Sequence, residues 1–250
     1  MAVRTTEPTE LASGVWRLGT ELVNWYLVED GGRLTVVDAG VPRHARGLEE
    51  ALGGIGHAIG DIDALILTHA HADHTGVSGF LRARGVPVHV HQGDRHLLID
   101  FKQPKNEGSM LPYLRHLSAW RLLIHLARGG ALSPPTVADP VHFVAGDVLD
   151  VPGRPRVIGT PGHTEGHCVF SFERRSALLV GDALCTWNPL TGRVGAQIMP
   201  SAFNLSSDRC LESLSRIEYL EADFLLPGHG EPWTASPAEA VERARRAGRS

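Results

Sequence analysis

The stretch LILTHAHADHTGVSGFL, residues 65–81, constrains this chain more than any other. The apolar run IDALILT has the length of one strand and leads directly into His69, His71, Asp73 and His74. A strand that is continuously apolar is buried on both faces, so it belongs to a sheet with a layer on either side. On an extended segment, residues two apart point the same way, so His69 and His71 can present two imidazoles to one point. Asp73 and His74 follow as the chain turns towards a helix, and they offer an oxygen and a nitrogen close by. Neutral imidazole and carboxylate are the usual ligands of zinc and related divalent ions. Surface histidines capping a helix through Asp73 would account for one histidine. They would not account for three histidines and an acid leaving a doubly buried strand.

The rest of the chain supports the same layering. GVWRL, NWYLVED and RLTVVDAG read as strands, the last two joined at Gly31-Gly32, a hairpin signal. Pro42 opens a helix-like segment through Leu52, HTGVSGFLRARG reads as a helix closed by Gly85, and VPVHVHQ as a strand. The second half returns to strands at VHFVAGDVLDV, PRVIGT, HCVFSFE and ALLVGDAL. A helix from about Ser207 to Leu220, a short strand in DFLLPGHG and a helix from Ala238 complete it. Alternation of this kind predicts a two-layer or four-layer α/β domain with its helices outside. No linker divides it, so residues 1–250 read as one domain. Residues 93–133 differ, because Tyr113, Leu117, Trp120, Ile124 and Ala127 recur at spacings of four and three and predict one face of a helix.

Three further strand ends carry a ligand-type residue beside glycine. They are VIGTPGHTEGH with His163 and His167, ALLVGDAL with Asp182, and FLLPGHG with His229. Strand ends converge on one edge of a sheet, where α/β proteins build their sites. Each is weak alone, but together with the first cluster they supply enough ligands for two metals sharing one carboxylate.

Composition narrows the function classes. A net charge of −4 argues against a protein that coats nucleic acid or an anionic membrane. No apolar run approaches a transmembrane helix, and the start, MAVRTTEPTELASGVWRL, has no apolar signal-peptide core. Three cysteines, Cys168, Cys185 and Cys210, form no metal-type pair and point to a reduced, cytoplasmic setting. No G-x-S-x-G nucleophile elbow is present.

The order H-x-H-x-D-H, then the PGHT histidine, the GDAL aspartate and the PGHG histidine, resembles the metallo-β-lactamase fold superfamily from Val15 to His229, with 93–133 as a helical insertion. That resemblance implies a four-layer αββα sandwich with metals at one edge of its two sheets. It implies that His69, His71 and His163 hold one metal, that Asp73, His74 and His229 hold the other, and that Asp182 bridges them. The cofactors would be two divalent ions, zinc first, with manganese or iron compatible with the same ligands. The expected reaction is hydrolysis of an ester, lactone or thioester by a hydroxide shared between the metals, with Asp73 as a catalytic group that orients it or carries a proton. Asp182 resembles the bridging acid of the thioesterase, lactonase and esterase branches, which the β-lactamases proper lack. Flavo-diiron relatives carry an acid where this chain has His71.

The departures from the family pattern bear on substrate. Only 20 residues follow Gly230, short of the helical C-terminal domain of hydroxyacylglutathione hydrolases. Cys185 stands three residues after Asp182, where acyl-homoserine lactone lactonases place a tyrosine. The alternative within the fold is the persulfide dioxygenase group, which uses one iron. The segment 93–133 reads as a lid whose Tyr113, Leu117 and Trp120 face the apolar part of a small-molecule substrate. The same stripe could instead pack on the body or form a homodimer. Trp25, Trp187 and Phe203 are candidates for a pocket rim, and Asp38 for fixing a histidine tautomer. His167 reads as structural, His89 and His91 as ordinary strand residues, and Arg243, Arg245, Arg246 and Arg249 as a solvated helix end.

Overall fold

The period-two pattern of the strands is resolved into two faces, each with its own packing partner. The computed structural model describes residues 3–100 and 104–249. Its first sheet has seven strands in chain order: β1 (Thr9–Ala12), β2 (Val15–Gly19), β3 (Asn24–Asp30), β4 (Arg33–Val37), β5 (Ile62–Ile66), β6 (Val88–His91) and β7 (Val141–Phe143). β1 to β4 run antiparallel, while β4 to β7 are mutually parallel. The second sheet contains β8 (Arg156–Gly159), β9 (Cys168–Phe172), β10 (Ala177–Gly181) and β13 (Phe224–Pro227), in the order β13-β10-β9-β8. A separate ribbon pairs β11 (Cys185–Trp187) with β12 (Val194–Gln197).

Alternate residues of each strand build different cores. Val37 of β4 and Ile66 of β5 meet Phe170, Leu179 and Leu226 between the two sheets. Leu34, Val36 and Leu65 point the other way, against α1 (Leu48–Gly54), α2 (Ser78–Arg82) and α3 (Arg95–Asp100). On the far side, Leu178, Val180 and Leu225 meet α5 (Ser207–Ser213) and α6 (Pro237–Ala247). The layers are therefore helix, sheet, sheet, helix, the four-layer αββα sandwich expected. Phe170 is fully buried between the sheets, a position where truncation to alanine typically costs about 3–5 kcal/mol.

The elements differ from expectation mainly in length. The helix read from Pro42 to Leu52 is a 3-10 turn over Pro42–Ala45 followed by α1. The helix read from Ser207 ends at Ser213 and continues as a 3-10 turn. β1 and the β11–β12 ribbon carry too few apolar residues to have announced themselves.

One expectation is overturned. In α4 (Leu117–Gly129), the buried residues are Ala119, Leu122, His125 and Gly129. The stripe assigned to the substrate side faces outward, with Leu117 82%, Trp120 49% and Ile124 47% exposed. Tyr113 lies before the helix, in a 3-10 turn, and is buried. Periodicity identifies an amphipathic helix, but here the smaller side chains occupy the inward face.

The C-terminal ends of β5, β8, β10 and β13 lead directly to Thr68, Thr160, Asp182 and Gly228. Backbone hydrogen bonds stitch these ends together, two of them across the two sheets and the third within the second sheet. Cys168 N–H donates to the Thr68 carbonyl at 2.9 Å, Asn24 N–H to Gly228 at 2.8 Å and Gly228 N–H to Gly181 at 2.9 Å.

Candidate metal centre

The stitched edge brings all seven sequence-derived candidates to one place. Asp182, only 3% exposed, lies at its middle. Its Oδ2 is 3.3 Å from His163 Nε2, 3.5 Å from His229 Nε2 and 3.9 Å from His69 Nε2, while Oδ1 is 3.5 Å from His74 Nε2. Asp73 Oδ2 is 3.6 Å from His229 Nε2. Two groups with metal-ligand spacing, His69/His71/His163 and Asp73/His74/His229, have ligand atoms within 4.8 Å of one another, as does His69/His74/Asp182 between them.

Outer hydrogen bonds decide which ring nitrogen each histidine turns inward. His74 Nδ1 donates to Asp38 Oδ2 at 2.9 Å, His163 Nδ1 to Asn204 Oδ1 at 2.9 Å, and His229 Nδ1 to the Leu22 carbonyl at 2.6 Å. His69 Nδ1 donates to Thr68 Oγ1 at 3.0 Å, and that hydroxyl donates onward to Asp38. In all four rings Nδ1 carries a proton held by an outer acceptor, so Nε2 is the nitrogen turned to the centre. Asp38 thus serves the tautomer role expected of it, at a cost: its φ of 59° lies in the left-handed region, which asparagine and aspartate tolerate better than most residues. His167 spends both nitrogens elsewhere, Nδ1 with Thr160 Oγ1 at 2.8 Å and Nε2 accepting from the Asp182 N–H at 3.1 Å. It positions Asp182 and has no nitrogen left over for a metal.

The donor set fits divalent cations. Among the described residues, His69 Nε2, His74 Nε2 and Asp182 Oδ1 are buried with no hydrogen-bond partner, an expensive arrangement unless something else satisfies them. His71 Nδ1 and His163 Nε2 approach to 2.8 Å, two ring nitrogens converging on one another. Burial and the neighbouring imidazoles push His69 and His71 well below the usual histidine range. Burial acts the same way on His74, but the carboxylates of Asp182, Asp38 and Asp73 override it and raise it to about 10. His229 is likewise raised by Asp182 and Asp73 against its burial. Burial also opposes ionisation of Asp182, yet His229, His74 and His163 hold it well below the carboxylate range. The negative field thus draws protons onto two imidazoles, positive charge that divalent cations would supply in their place.

Close approach explains a glycine here. A Cβ on Gly228 would lie 2.6 Å from His74 Cε1 and would also meet Asp182 Oδ1. Only glycine lets the strand end pass this close to the ligand-type side chains.

A cavity of about 180 Å³ opens on the cluster, lined on its apolar side by Leu126 of α4, Met199 and Phe203, with Asn106 at its rim. Phe203 therefore stands where a rim residue was expected. Trp25 does not, being fully buried in the core. Trp187 lines a separate groove of about 420 Å³, bordered by Leu22, Arg121 and Trp233, which contains none of the seven candidates. Cys185 faces away from the cavity, its thiol directed at the Ile198 carbonyl at 3.8 Å. His89 is half-buried on β6, and His91 Nδ1 accepts from Gly93 N–H. The four C-terminal arginines each pair with an acid, Glu239, Glu218, Glu242 and Asp208 respectively. Thr68, Asn204 and the Leu22 carbonyl were missed from sequence; only Thr68, beside the first histidine, sits within a motif that could have flagged it. Among the described residues no helix is long and apolar enough to cross a membrane.

Known proteins of similar sequence and fold show the family. The sequence matches the model of the metallo-beta-lactamase superfamily over residues 18–229. It is 26% identical to the probable metallo-hydrolase YflN of Bacillus subtilis, over 93% of this chain and 90% of that one. It is 28% identical to the probable metallo-hydrolase YqjP of the same organism, over 87% and 70%. Among solved structures, a metallo-beta-lactamase family protein from Thermus thermophilus superposes with a TM-score of 0.66 at 27% identity, over 93% and 78% of the two chains. A B3 metallo-beta-lactamase with an active-site glutamic acid superposes at 0.70 and 20% identity, over 98% and 90%, a likeness of fold. With its four layers, its ordered histidine and aspartate motifs and a match spanning most of its length, this chain belongs to the metallo-beta-lactamase superfamily.

Proposed function

We propose that this protein is a dinuclear metal-dependent hydrolase of ester-type bonds, acting on a small substrate with a short apolar acyl group. The observation that carries the reading is a set of inward-facing Nε2 and carboxylate atoms, unpartnered among the described residues, gathered around Asp182, which itself lines an apolar cavity. His69, His71 and His163 would hold one ion, Asp73, His74 and His229 the second, with Asp182 between them. Such ions, when bound, polarise a carbonyl and acidify water near neutral pH; zinc, manganese and iron are all compatible with these nitrogen and oxygen ligands. The relatives named as probable metallo-hydrolases support the reaction class.

The chain's own residues supply the rest. Asp73, partly exposed at the cavity floor, is placed to accept the proton shed by the attacking water and deliver it to the leaving group. Asp182 stays ionised, and His167 fixes its backbone through the Asp182 N–H. Leu126, Met199 and Phe203 receive the acyl portion and exclude bulk water from the scissile bond. In this reading α4 acts as a lid through Leu126, not through its exposed stripe. The carboxylate at 182, which resembles the bridging acid of the esterase, lactonase and thioesterase branches, supports this reading.

The test is a series of activated esters and thioesters of increasing acyl length, assayed after chelation and metal return. Turnover should vanish on chelation, return with metal and be fastest for short acyl groups. Leu126→Ala should shift the optimum to longer chains. Hydrolysis that survives chelation, or a chain-length profile that Leu126→Ala leaves unmoved, would defeat the proposal.

A further inference from the structure

Asp94 is fully buried, immediately after β6, yet sequence patterning gives it no role. Its carboxylate accepts three hydrogen bonds from two distant loops. Oδ2 accepts from Ala70 N–H at 3.1 Å and from Thr164 Oγ1 at 2.6 Å, and Oδ1 accepts from Gly166 N–H at 2.7 Å. Ala70 lies between His69 and His71, and Thr164 follows His163. The three donors therefore sit on the two loops that carry the three-histidine group: Ala70 between His69 and His71, upstream of Asp73 and His74 on the same loop, and Thr164 and Gly166 just after His163, while none lies on the segment that carries His229. Space has been made for this contact. A Cβ on Gly166 would come within 2.6 Å of Asp94 N, and one on Gly93 within 2.9 Å of Gly166 Cα.

We propose that Asp94 is a positioning residue that clamps the His69–His71 loop to the His163 loop and so sets the metal affinity of the three-histidine site selectively. The proposal rests on the two-cation reading above. The chemistry requires a carboxylate and no isostere. The two backbone donors, Ala70 N–H and Gly166 N–H, are fixed and address different oxygens. An asparagine has one carbonyl oxygen, so its amide NH₂ must face one of those N–H groups, donor against donor. One loop is then released relative to the other, and three imidazoles no longer converge to the same point. Removing an outer hydrogen-bond partner of a metal site typically lowers affinity about 10–100-fold.

The experiment is competitive titration of the metal-free full chain with zinc and with cobalt against a chelator, for the wild type, Asp94→Asn, Thr164→Val and Thr164→Ser. His71→Ala, which dismantles the three-histidine site, supplies the reference isotherm for the other site. Asp94→Asn should weaken one site by about 10–100-fold and leave the remaining site matching the His71→Ala isotherm. Thr164→Val, which removes only the hydroxyl donor, should weaken the same site by less, and Thr164→Ser should restore it. If Asp94→Asn does not fold, by circular dichroism, the Thr164 pair carries the test. Equal weakening of both sites would show a general structural role and overturn the proposal, as would no weakening of either. A wild-type chain that binds no metal would overturn the proposed function as well. If it binds a single ion that His71→Ala abolishes, the clamp is read on that ion.

Discussion

His44 provides a stability switch whose size follows from its surroundings. It lies in the 3-10 turn before α1 with no exposure, its ring stacked on Trp25 at 6.4 Å and facing His125 of α4 at 5.9 Å. Burial, and secondarily the charge of His125, lowers its pKa from 6.5 to about 3. The unfolded chain therefore takes up a proton as pH falls through 6.5, whereas the folded chain takes it up only near 3. Stability from this group is complete above the unfolded value and is lost as pH falls from there towards the folded value. Between pH 7 and pH 5 the loss works out at about 2 kcal/mol, and its limit below pH 3 is about 5 kcal/mol. His44→Phe keeps the stacked ring and removes the titration. Urea unfolding of both chains after chelation, at pH 7 and pH 5, isolates the effect. The wild type should lose about 2 kcal/mol more than the variant over that interval. Equal losses in the two chains would refute the assignment of a neutral, proton-excluding His44.

Two further outcomes follow from close packing around the site. Gly228→Ala removes no ligand, but its Cβ would press on His74 and Asp182. Metal affinity should fall at least about tenfold by chelator competition, and unchanged affinity would show that the strand end yields easily. Cys168, Cys185 and Cys210 are all buried, and burial pushes their thiols up, that of Cys210 to about 12. A thiol reagent at pH 8 should label the folded chain only at the rate of unfolding; rapid labelling of any one of them would place it at an accessible surface.

The fold and the central cluster were legible because their signals are local. A doubly buried strand needs an unbroken apolar run, and a metal needs histidine and carboxylate at strand ends, so residues 62–74 announce both. Apart from Asp38, within the strand run TVVDAG, the groups that orient those ligands were not legible. Asn204 meets His163 across 41 residues, Asp94 meets Thr164 across 70, and the Leu22 carbonyl meets His229 across 207. Each is an ordinary polar group whose meaning exists only after the two sheets close. The α4 stripe shows a different limit. Its spacing correctly marks a two-faced helix, but hydrophobicity alone turned the larger apolar face towards the substrate. The structure buries Ala119, Leu122 and His125 there and leaves Leu117, Trp120 and Ile124 outside.

Whether two cations share Asp182 is decided by metal content per chain on protein purified without added metal, beside the same measurement on Asp182→Ala. The wild type should hold about two equivalents of zinc or manganese, with hydrolysis lost on chelation and restored by metal, and the variant should hold fewer. About one equivalent of iron, with oxygen uptake and no hydrolysis, would contradict it and move the protein to a mononuclear oxygenase chemistry.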